Sequence, residues 1–543
     1  MDNAAGKFEQ KLYAGTIATL TEGGTQGHYA VSKSEEAQTY ADLLANVDKR
    51  FGDWSLVANL GASIADTRCD ELGYRGPIKA NGIPNVFNVM DLDNAKKKAR
   101  QSGWAEQTQS VFASVEVGWK RMLYLTVTGR NDWASQLANS PKSSFFYPSV
   151  GLSAVISEMV DLPAAVDFFK LRGSFSSVGM PYLRHLTSPT YEYDETTQTW
   201  KPKTHFPIGD LYPERTQSWE AGLDLRLWKD VSLALTWYRA DTFNQTFDPK
   251  ISVSSGYSKI YLQTGAVRNT GVELSLGYSC IRGDFGWDTG FTLSTNRNEI
   301  LQLVDDYVHP ETGEPITKDR LEIKGLGKTK FILKKGGTLG DLYTQSGLKR
   351  DDQGNLEIDS AGALVTVDNL PDIKLGSVFP KANLAWRNDF SFKGFTAGAL
   401  LSARIGGVVY SATQAAMDQY GVSAVSAAAR DRGSVLVEDT FYVDPQIWYT
   451  AVGSSSGLPQ YYTYSATNVR LQEARIGWAL PREWFRGKVG VNLSLVARNL
   501  VMLYNKAPFD PEAVASTGNY YQGIDYFMLP STRNVGFNVK LIF

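Results

Sequence analysis

Tyr182, Tyr191, Tyr193 and Trp200 fall within one polar stretch, residues 178–213, among Asp, Thr and Lys and close to His205 and Phe206. Flat aromatic faces beside hydrogen-bonding side chains suit a sugar or peptide ligand; packing of the loop on itself or on a partner accounts for the same residues equally well. Nothing of equal weight points to catalysis. Cys69 and Cys280 lie far apart and neither sits in a C-x-x-C pair, and the four histidines (His28, His185, His205, His309) lack ligand spacing. There is no G-x-S-x-G, no H-E-x-x-H and no phosphate-cradling glycine loop, and the carboxylates form no close pair in sequence. The expectation is a chain with no catalytic residue, no metal and no cofactor. Asp351-Asp-Gln-Gly-Asn-Leu-Glu-Ile-Asp359 invites a calcium reading, but Gly354 comes too early for an EF-hand and no Glu stands at the required distance, so a polar turn is expected. The Ala-rich stretch 411–430 is expected to form short helices inside a loop.

The elements that hold these loops announce themselves by alternation. In Asn534-Val-Gly-Phe-Asn-Val-Lys-Leu-Ile-Phe543, Val535, Phe537, Val539, Leu541 and Phe543 share one face while Asn534, Gly536, Asn538 and Lys540 share the other. A closing strand of an outer-membrane β-barrel has this form, apolar toward lipid and polar toward the lumen, and Phe537, Val539, Leu541 and Phe543 are read as the C-terminal insertion signal. The same period recurs in Trp219–Leu227, Val231–Trp237, Val272–Tyr278 and Val489–Ala497. Their polar faces carry charges such as Glu220, Asp224, Arg226 and Glu273, each of which would cost about 2–4 kcal/mol facing lipid at the midplane, so that face must be wet.

About 16 strands are expected, near 9–20, 38–50, 54–66, 107–119, 121–132, 145–158, 166–177, 214–228, 230–245, 266–280, 284–298, 379–391, 394–406, 466–479, 488–500 and 532–543. Their connections alternate in length. Short turns sit at Gly52-Asp53, Lys120, Lys229-Asp230, Gly283, Lys393 and, slightly longer, 159–165 and 481–487; long segments sit at 67–106, 133–144, 178–213, 246–265, 299–378, 407–465 and 501–531. A soluble sandwich has no reason to place every long connection at one end, whereas outer-membrane barrels do so. Phe51, Trp54, Trp119, Phe168, Phe169, Trp228, Phe395, Trp484 and Phe485 flank the short turns, where an interfacial aromatic girdle belongs.

Composition agrees with this class. The chain has 27 Tyr, 25 Phe, 13 Trp and 49 Gly, which suits many strands and tight turns and would also suit a soluble carbohydrate-binding β-protein. No apolar run reaches the roughly 18–20 residues of a membrane helix, so a helical membrane protein is excluded. A net charge of −2 with no basic block argues against a nucleic-acid surface.

Several segments resemble SusC/RagA-like, TonB-linked outer-membrane transporters: Leu211-Tyr-Pro-Glu-Arg-Thr-Gln-Ser-Trp-Glu-Ala-Gly-Leu-Asp-Leu225, Phe145-Phe-Tyr-Pro-Ser-Val-Gly-Leu152, Lys170-Leu-Arg-Gly-Ser174, Asn269-Thr-Gly-Val-Glu-Leu-Ser-Leu276, Val469-Arg-Leu-Gln-Glu-Ala-Arg-Ile-Gly477 and Arg498-Asn-Leu500. They occur in order over essentially the whole chain. The resemblance implies an all-β transmembrane antiparallel barrel of about 22 strands in the parent, preceded by a signal peptide, a TonB-contacting segment and a plug. Met1-Asp-Asn-Ala-Ala-Gly-Lys7 lacks the basic and apolar pattern of a secretory signal, and no plug precedes the first strand. The expectation is therefore that residues 1–543 are the C-terminal barrel portion, plug absent, touching TonB only through the missing segment. The resemblance further implies a Gram-negative outer membrane, nutrient uptake of a glycan or oligopeptide, and a SusD-like surface lipoprotein as lid, with 178–213 and 246–265 as hinge contacts. Two other readings stay open: a self-contained passive porin of about 16 strands, with 299–378 folded into the pore, and a secreted β-rich enzyme or binding protein. The last should tolerate solvent on both strand faces, and one face here is consistently apolar.

Overall fold

The computed structural model describes residues 2–543 except 185, 187–190, 195–198, 203–204, 207–210, 248–258, 261, 309–314, 438, 455–456, 517 and 519–520. The alternating segments form one antiparallel meander. Its strands are β1 (Asp2–Leu12), β2 (His28–Phe51), β3 (Trp54–Pro77), β4 (Lys98–Trp119), β5 (Leu123–Ala134), β6 (Ser144–Val155), β7 (Val166–Met180), β8 (Glu214–Leu227), β9 (Val231–Phe247), β10 (Leu262–Arg282), β11 (Phe285–Thr295, resumed as Arg297–Gln302), β12 (Ala382–Phe392), β13 (Phe395–Ile405), β14 (Asn468–Ala479), β15 (Gly490–Asn505) and β16 (Asn534–Ile542). Each pairs with the next in sequence, and the outer edges of β1 and β16 have no partner among the described residues.

Register follows the binary pattern. Leu171, Leu223, Leu235, Leu274, Leu293 and Leu384 stand side by side across β7 to β12, a continuous apolar row. One residue along, Arg172, Gly222, Thr236, Glu273, Ser294 and Asn383 form the neighbouring row on the opposite face. A slip of one residue in any strand would turn a leucine into the wet face and a charge into the apolar one, which pins the pairing. The short connections are hairpin turns with positive φ: Lys120 (51°) and Arg121 (59°), Trp228 (49°) and Lys229 (65°), Lys393 (45°) and Gly394 (86°). That backbone matches the twist of the strands it joins.

Two expectations need correction. The first strand occupies Asp2–Leu12 rather than 9–20, because Gly15 (φ 90°), Glu22 (51°) and Gly23 (79°) turn the chain after Tyr13. The expected bounds 9–20 run across Gly15, and a glycine at positive φ breaks a strand there. The segment 67–106 is only partly a loop: β2 and β3 are each 24 residues long, and β4 starts at Lys98. At about 3.3 Å per residue this hairpin is roughly 80 Å tall, far beyond the 9–11 residues that cross a bilayer. Its distal parts meet water on both sides, so Lys33, Glu35, Glu36, Asp70 and Glu71 sit there without alternation.

The packed core lies outside the wall, among the long connections. One cluster joins Leu137 and Tyr182, Leu186 and Leu211 with Ile300, Leu303, Leu321 and Leu333. A second joins Phe331, Leu342 and Val378 with Tyr410, Ala412, Ala429, Trp448, Tyr462 and Ile524. Segment 299–378 supplies a four-stranded sheet (Arg320–Lys324, Thr329–Lys334, Asp341–Thr344, Ile373–Ser377) that contributes to both clusters. The wall's own apolar face is exposed instead, as at Trp219, Ile476 and Phe537.

Candidate ligand-binding loops and lumen

The polar face of the wall is built from charges that satisfy one another. Arg387 on β12 pairs with Asp288 on β11 and, at 3.3 Å, with Asp389, which also takes Arg475 of β14 at 2.6 Å. Arg498 meets Glu473 at 2.9 Å, and Arg172 donates to Thr236 at 2.6 Å while lying 3.6 Å from Asp224. Glu116, Lys170, Arg172 and Glu220 line a hollow of about 270 Å³ on this face. Such a surface suits a polar solute passing through water.

At the loop end, sequence signals place three short helices between β13 and β14: α1 (Ala412–Gln419), α2 (Ala424–Arg432) and α3 (Pro445–Val452). Ser411, Ser423 and Asp444 cap them by accepting backbone N–H bonds, Pro445 occupies the first turn of α3, and Gly433 (φ 78°) ends α2. Helices this short do not persist alone. Their inner faces are held by Tyr410, Leu458 and Tyr462 in the second cluster. Burial pushes the Tyr410 hydroxyl up to about 12. Asp418 is buried yet satisfied, accepting from Gln414 Nε2 at 2.8 Å and from Ser423 Oγ. The helices enclose a cleft of about 610 Å³ lined by Tyr420, Arg430, Asp444, Gln446 and Tyr449. Arg430 spends one N–H on the Gly421 carbonyl at 2.7 Å. Its remaining donors, the Asp444 carboxylate, the Gln446 amide and two tyrosine rings offer both hydrogen-bond signs beside flat faces. That is the chemistry expected for a neutral polar ligand.

Ionic clasps fasten the loops. Asp372 receives a fork from Arg320 at 3.0 and 2.9 Å, with Lys334 at 2.8 Å and Gln345 at 2.9 Å, and the Arg320 bonds first of all hold its carboxyl well below the usual range. Arg470, 5% exposed, forks onto Asp510 at 2.9 and 3.2 Å. Asp351 is a turn former, its Oδ1 accepting the Gln353 and Asn355 N–H groups at 2.9 and 2.8 Å; Asp359 repeats the device on Ala361 and Ala363. The polar-turn expectation agrees with this, as does the expectation of short helices in 411–430.

The residues singled out in 178–213 are placed differently from one another. Tyr182 is 5% exposed and packs in the first cluster, whereas Trp200 is 68% exposed. Trp200 lies on the strand Thr199–Pro202, paired with Tyr191–Asp194 so that it opposes Tyr193. His185 and His309 lie outside the described residues. Phe537, Val539, Leu541 and Phe543 are all at least half exposed on the apolar face of the final strand and just beyond it. The cleft residues Tyr420, Arg430, Asp444 and Tyr449 escaped sequence reasoning, although the caps Ser411, Ser423 and Asp444-Pro445 signalled the helices that carry them. Cys69 and Cys280 are free thiols, and among the described residues no group of three or more His, Cys, Asp or Glu is placed to hold a metal ion.

Comparison with known proteins gives consistent results. Residues 7–500 match the family model described as "TonB dependent receptor-like, beta-barrel". The "TonB-dependent receptor P3" of Formosa agariphila is 24% identical over 568 residues, covering 96% of this chain and 54% of that protein. The "TonB-dependent receptor SusC" of Bacteroides thetaiotaomicron is 22% identical, covering 56% of this chain and 32% of that protein. Among solved structures, that of "the RagAB peptide transporter" superposes with a TM-score of 0.72 at 18% identity, covering 95% of this chain and 56% of that one. The chain spans about half the length of relatives such as P3. This is a family of receptors and transporters rather than enzymes. With its wall and loops described and its match running from residue 7 to residue 500, the chain belongs to the TonB-dependent receptor β-barrel family and is SusC-like.

Proposed function

We propose that this chain supplies wall and substrate-recognising outer loops to an outer-membrane importer of glycans or oligopeptides, driven through TonB and covered by a SusD-like surface lipoprotein. The short-turn end faces the periplasm and the packed loop end faces outward. The observation that carries this reading is the loop end itself: two apolar clusters pack the long connections, and the second holds helices lining a mixed-polarity cleft of about 610 Å³, with a charged, water-compatible wall beside them. A passive pore has no need of such a cap. The relative titled a peptide transporter favours oligopeptides as the first ligands to try.

The free edges of β1 and β16 belong to the same proposal. Lipid tolerates no unpaired backbone edge, so further strands complete the wall, and a plug segment outside this chain makes the TonB contact. The test is to purify the receptor containing this chain from outer membranes and ask two things. A surface lipoprotein should co-purify, and calorimetry should detect an oligopeptide or oligosaccharide pool whose binding weakens at least ten-fold in Tyr420→Ala/Arg430→Ala. A heat-modifiable monomer of residues 1–543 alone that conducts ions steadily and binds neither pool would refute the proposal and favour a porin.

A further inference from the structure

The apolar face of β11 to β16 is not uniform. Its row nearest the short turns consists entirely of large side chains: Phe285, Phe392, Phe395, Trp478, Leu493 and Val539 stand in register across six strands. Phe395 and Trp478 stack at 5.1 Å, and Trp484 meets Trp478 edge-on at 5.6 Å. One step up the wall the row is notched, with Ala397 between Phe390 and Ile476; one step further Ala399, Ala474 and Ala497 are adjacent and small. The result is a groove of about 510 Å³ with Ala397 in its floor and aromatic and aliphatic side chains along its sides and lower end. Its width and apolar lining suit an acyl chain held against the wall.

Charge at the adjoining turns supplies the other half of a lipid. Lys393, Arg482, Arg486 and Lys488 project from the two turns directly below the groove, and none has an ion-pair partner among the described residues. Lys393 Nζ lies 5.4 Å from the centre of the Phe392 ring, so this cation borders the groove. The 3₁₀ turn Arg482–Phe485 carries both Trp484 and Arg482. Glu483 is the single carboxylate among them. Elsewhere on the same rim the balance differs: Lys120 pairs with Asp53 at 3.7 Å, and the turn from β6 to β7 carries Glu158 and Asp161 with no cation. Arg121 beside Lys120 is also without an ion-pair partner among the described residues, but the sector with the groove holds the larger surplus, four cations against Glu483.

We infer that this sector is a binding site for an anionic glycerophospholipid of the inner leaflet, its acyl chain lying over Ala397 and its phosphate held by Arg482, Arg486, Lys488 and Lys393. The site rests on the outer-membrane placement proposed above and is independent of what is imported. An aromatic girdle alone accepts any lipid; the unpaired cations make this stretch select by headgroup charge, since basic residues at a membrane surface attract anionic lipid by about five-fold each.

The test uses the receptor containing this chain, extracted in mild detergent and offered equal phosphatidylglycerol and phosphatidylethanolamine of identical acyl chains, with retained lipid counted by native mass spectrometry. Phosphatidylglycerol should be retained preferentially, and Arg482→Gln/Arg486→Gln should lower the preference about 25-fold. Ala397→Phe should lower retention of both lipids by filling the groove. Lys120→Gln/Arg121→Gln, on the same rim but away from the groove, should change neither. All these residues are exposed at turns or on the lipid face, and heat-modifiable gel mobility verifies that each variant is folded. Equal retention of the two lipids in the parent, an unchanged preference in Arg482→Gln/Arg486→Gln, or an equal loss in the Lys120 pair would each overturn the assignment.

Discussion

Arg470 offers the sharpest test of how the loops are tied to the wall. Its side chain is 6% exposed and its fork onto Asp510, itself 10% exposed, spans the junction between β14 and the loop after β15. Asn468 adds a bond to Arg470 Nε at 3.2 Å and another to Glu512 at 3.0 Å, so four residues close one ring of hydrogen bonds. Removing Arg470 strands the buried Asp510 carboxylate, at a cost of about 3–5 kcal/mol, whereas Arg470 left without Asp510 keeps Glu512 at 3.4 Å and loses less; removing both leaves no buried orphan and is milder still. Arg470→Ala and Asp510→Ala should each free the loop 506–533, read as accelerated limited proteolysis and lost amide-exchange protection there, while Arg470→Met/Asp510→Leu should recover most of it. The acid dependence has a defined sign. Burial alone would raise the Asp510 carboxyl, but the Arg470 bonds, the Glu512 N–H and Ser531 outweigh it and hold it below the ordinary 3.8. The clasp is therefore complete above about pH 4 and is lost as pH falls through the depressed native value. Additive damage in the double variant, or protection in Arg470→Ala equal to the parent's, would refute the reasoning.

Three further outcomes are expected. A Cβ at Gly271 would collide with the Thr295 carbonyl and the Tyr238 hydroxyl, so Gly271→Val should cost roughly 1–3 kcal/mol and reduce the heat-modifiable folded fraction on a gel. Leu495→Arg places a charge on the lipid face and should cost about 2–4 kcal/mol, whereas Asn492→Arg on the polar face should leave folding yield unchanged in urea titrations. Asp372→Asn should loosen the sheet of segment 299–378, giving new protease cuts between 303 and 378, and the parent should show the same cuts only in acid well below pH 3.8, because Asp372 is depressed in the native state.

The wall was legible because its two solvents write a period of 2 into every strand, and the register of Leu171, Leu223, Leu235, Leu274, Leu293 and Leu384 restates that pattern in space. Legibility ends where lipid ends. The upper halves of β2 and β3 are wet on both sides, so alternation stops at about residue 67 although pairing runs on to Pro77. The break of β11 at Asn296 was invisible because its cause is distant: the Tyr238 hydroxyl reaches the Thr295 carbonyl at 3.2 Å across the space that Gly271 leaves open. The loop core was equally hidden. Phe331-Ile-Leu333 is too short an apolar run to assign, and it is buried by partners as far off in sequence as Tyr182 and Trp448.

These clasps explain why the segments that resembled SusC-like transporters stand where they do. Tyr147 of Phe145-Phe-Tyr-Pro donates to Asp132, which Arg130 grips at 2.7 Å. Glu214 and Arg215 of Pro-Glu-Arg-Thr bind the Thr246 N–H at 2.9 Å and Ser177 at 2.6 Å. Asn269 accepts from Asn298 at 3.0 Å beside the Gly271 notch, and Arg470 locks Asp510. Each of these residues lies where a strand leaves the apolar belt for the loops. A barrel has no interior core to hold neighbouring strands in line, and its apolar face gains little from packing on lipid that is equally apolar. Register at the water-exposed ends therefore falls to specific polar contacts, each of which works only with its own geometry. The wall between them needs only to alternate, and the loops beyond them can change as the ligand changes. The segments that carry the resemblance accordingly include these clasps, and on the function proposed above the residues facing the cleft of α1 to α3 are where ligand selectivity is set.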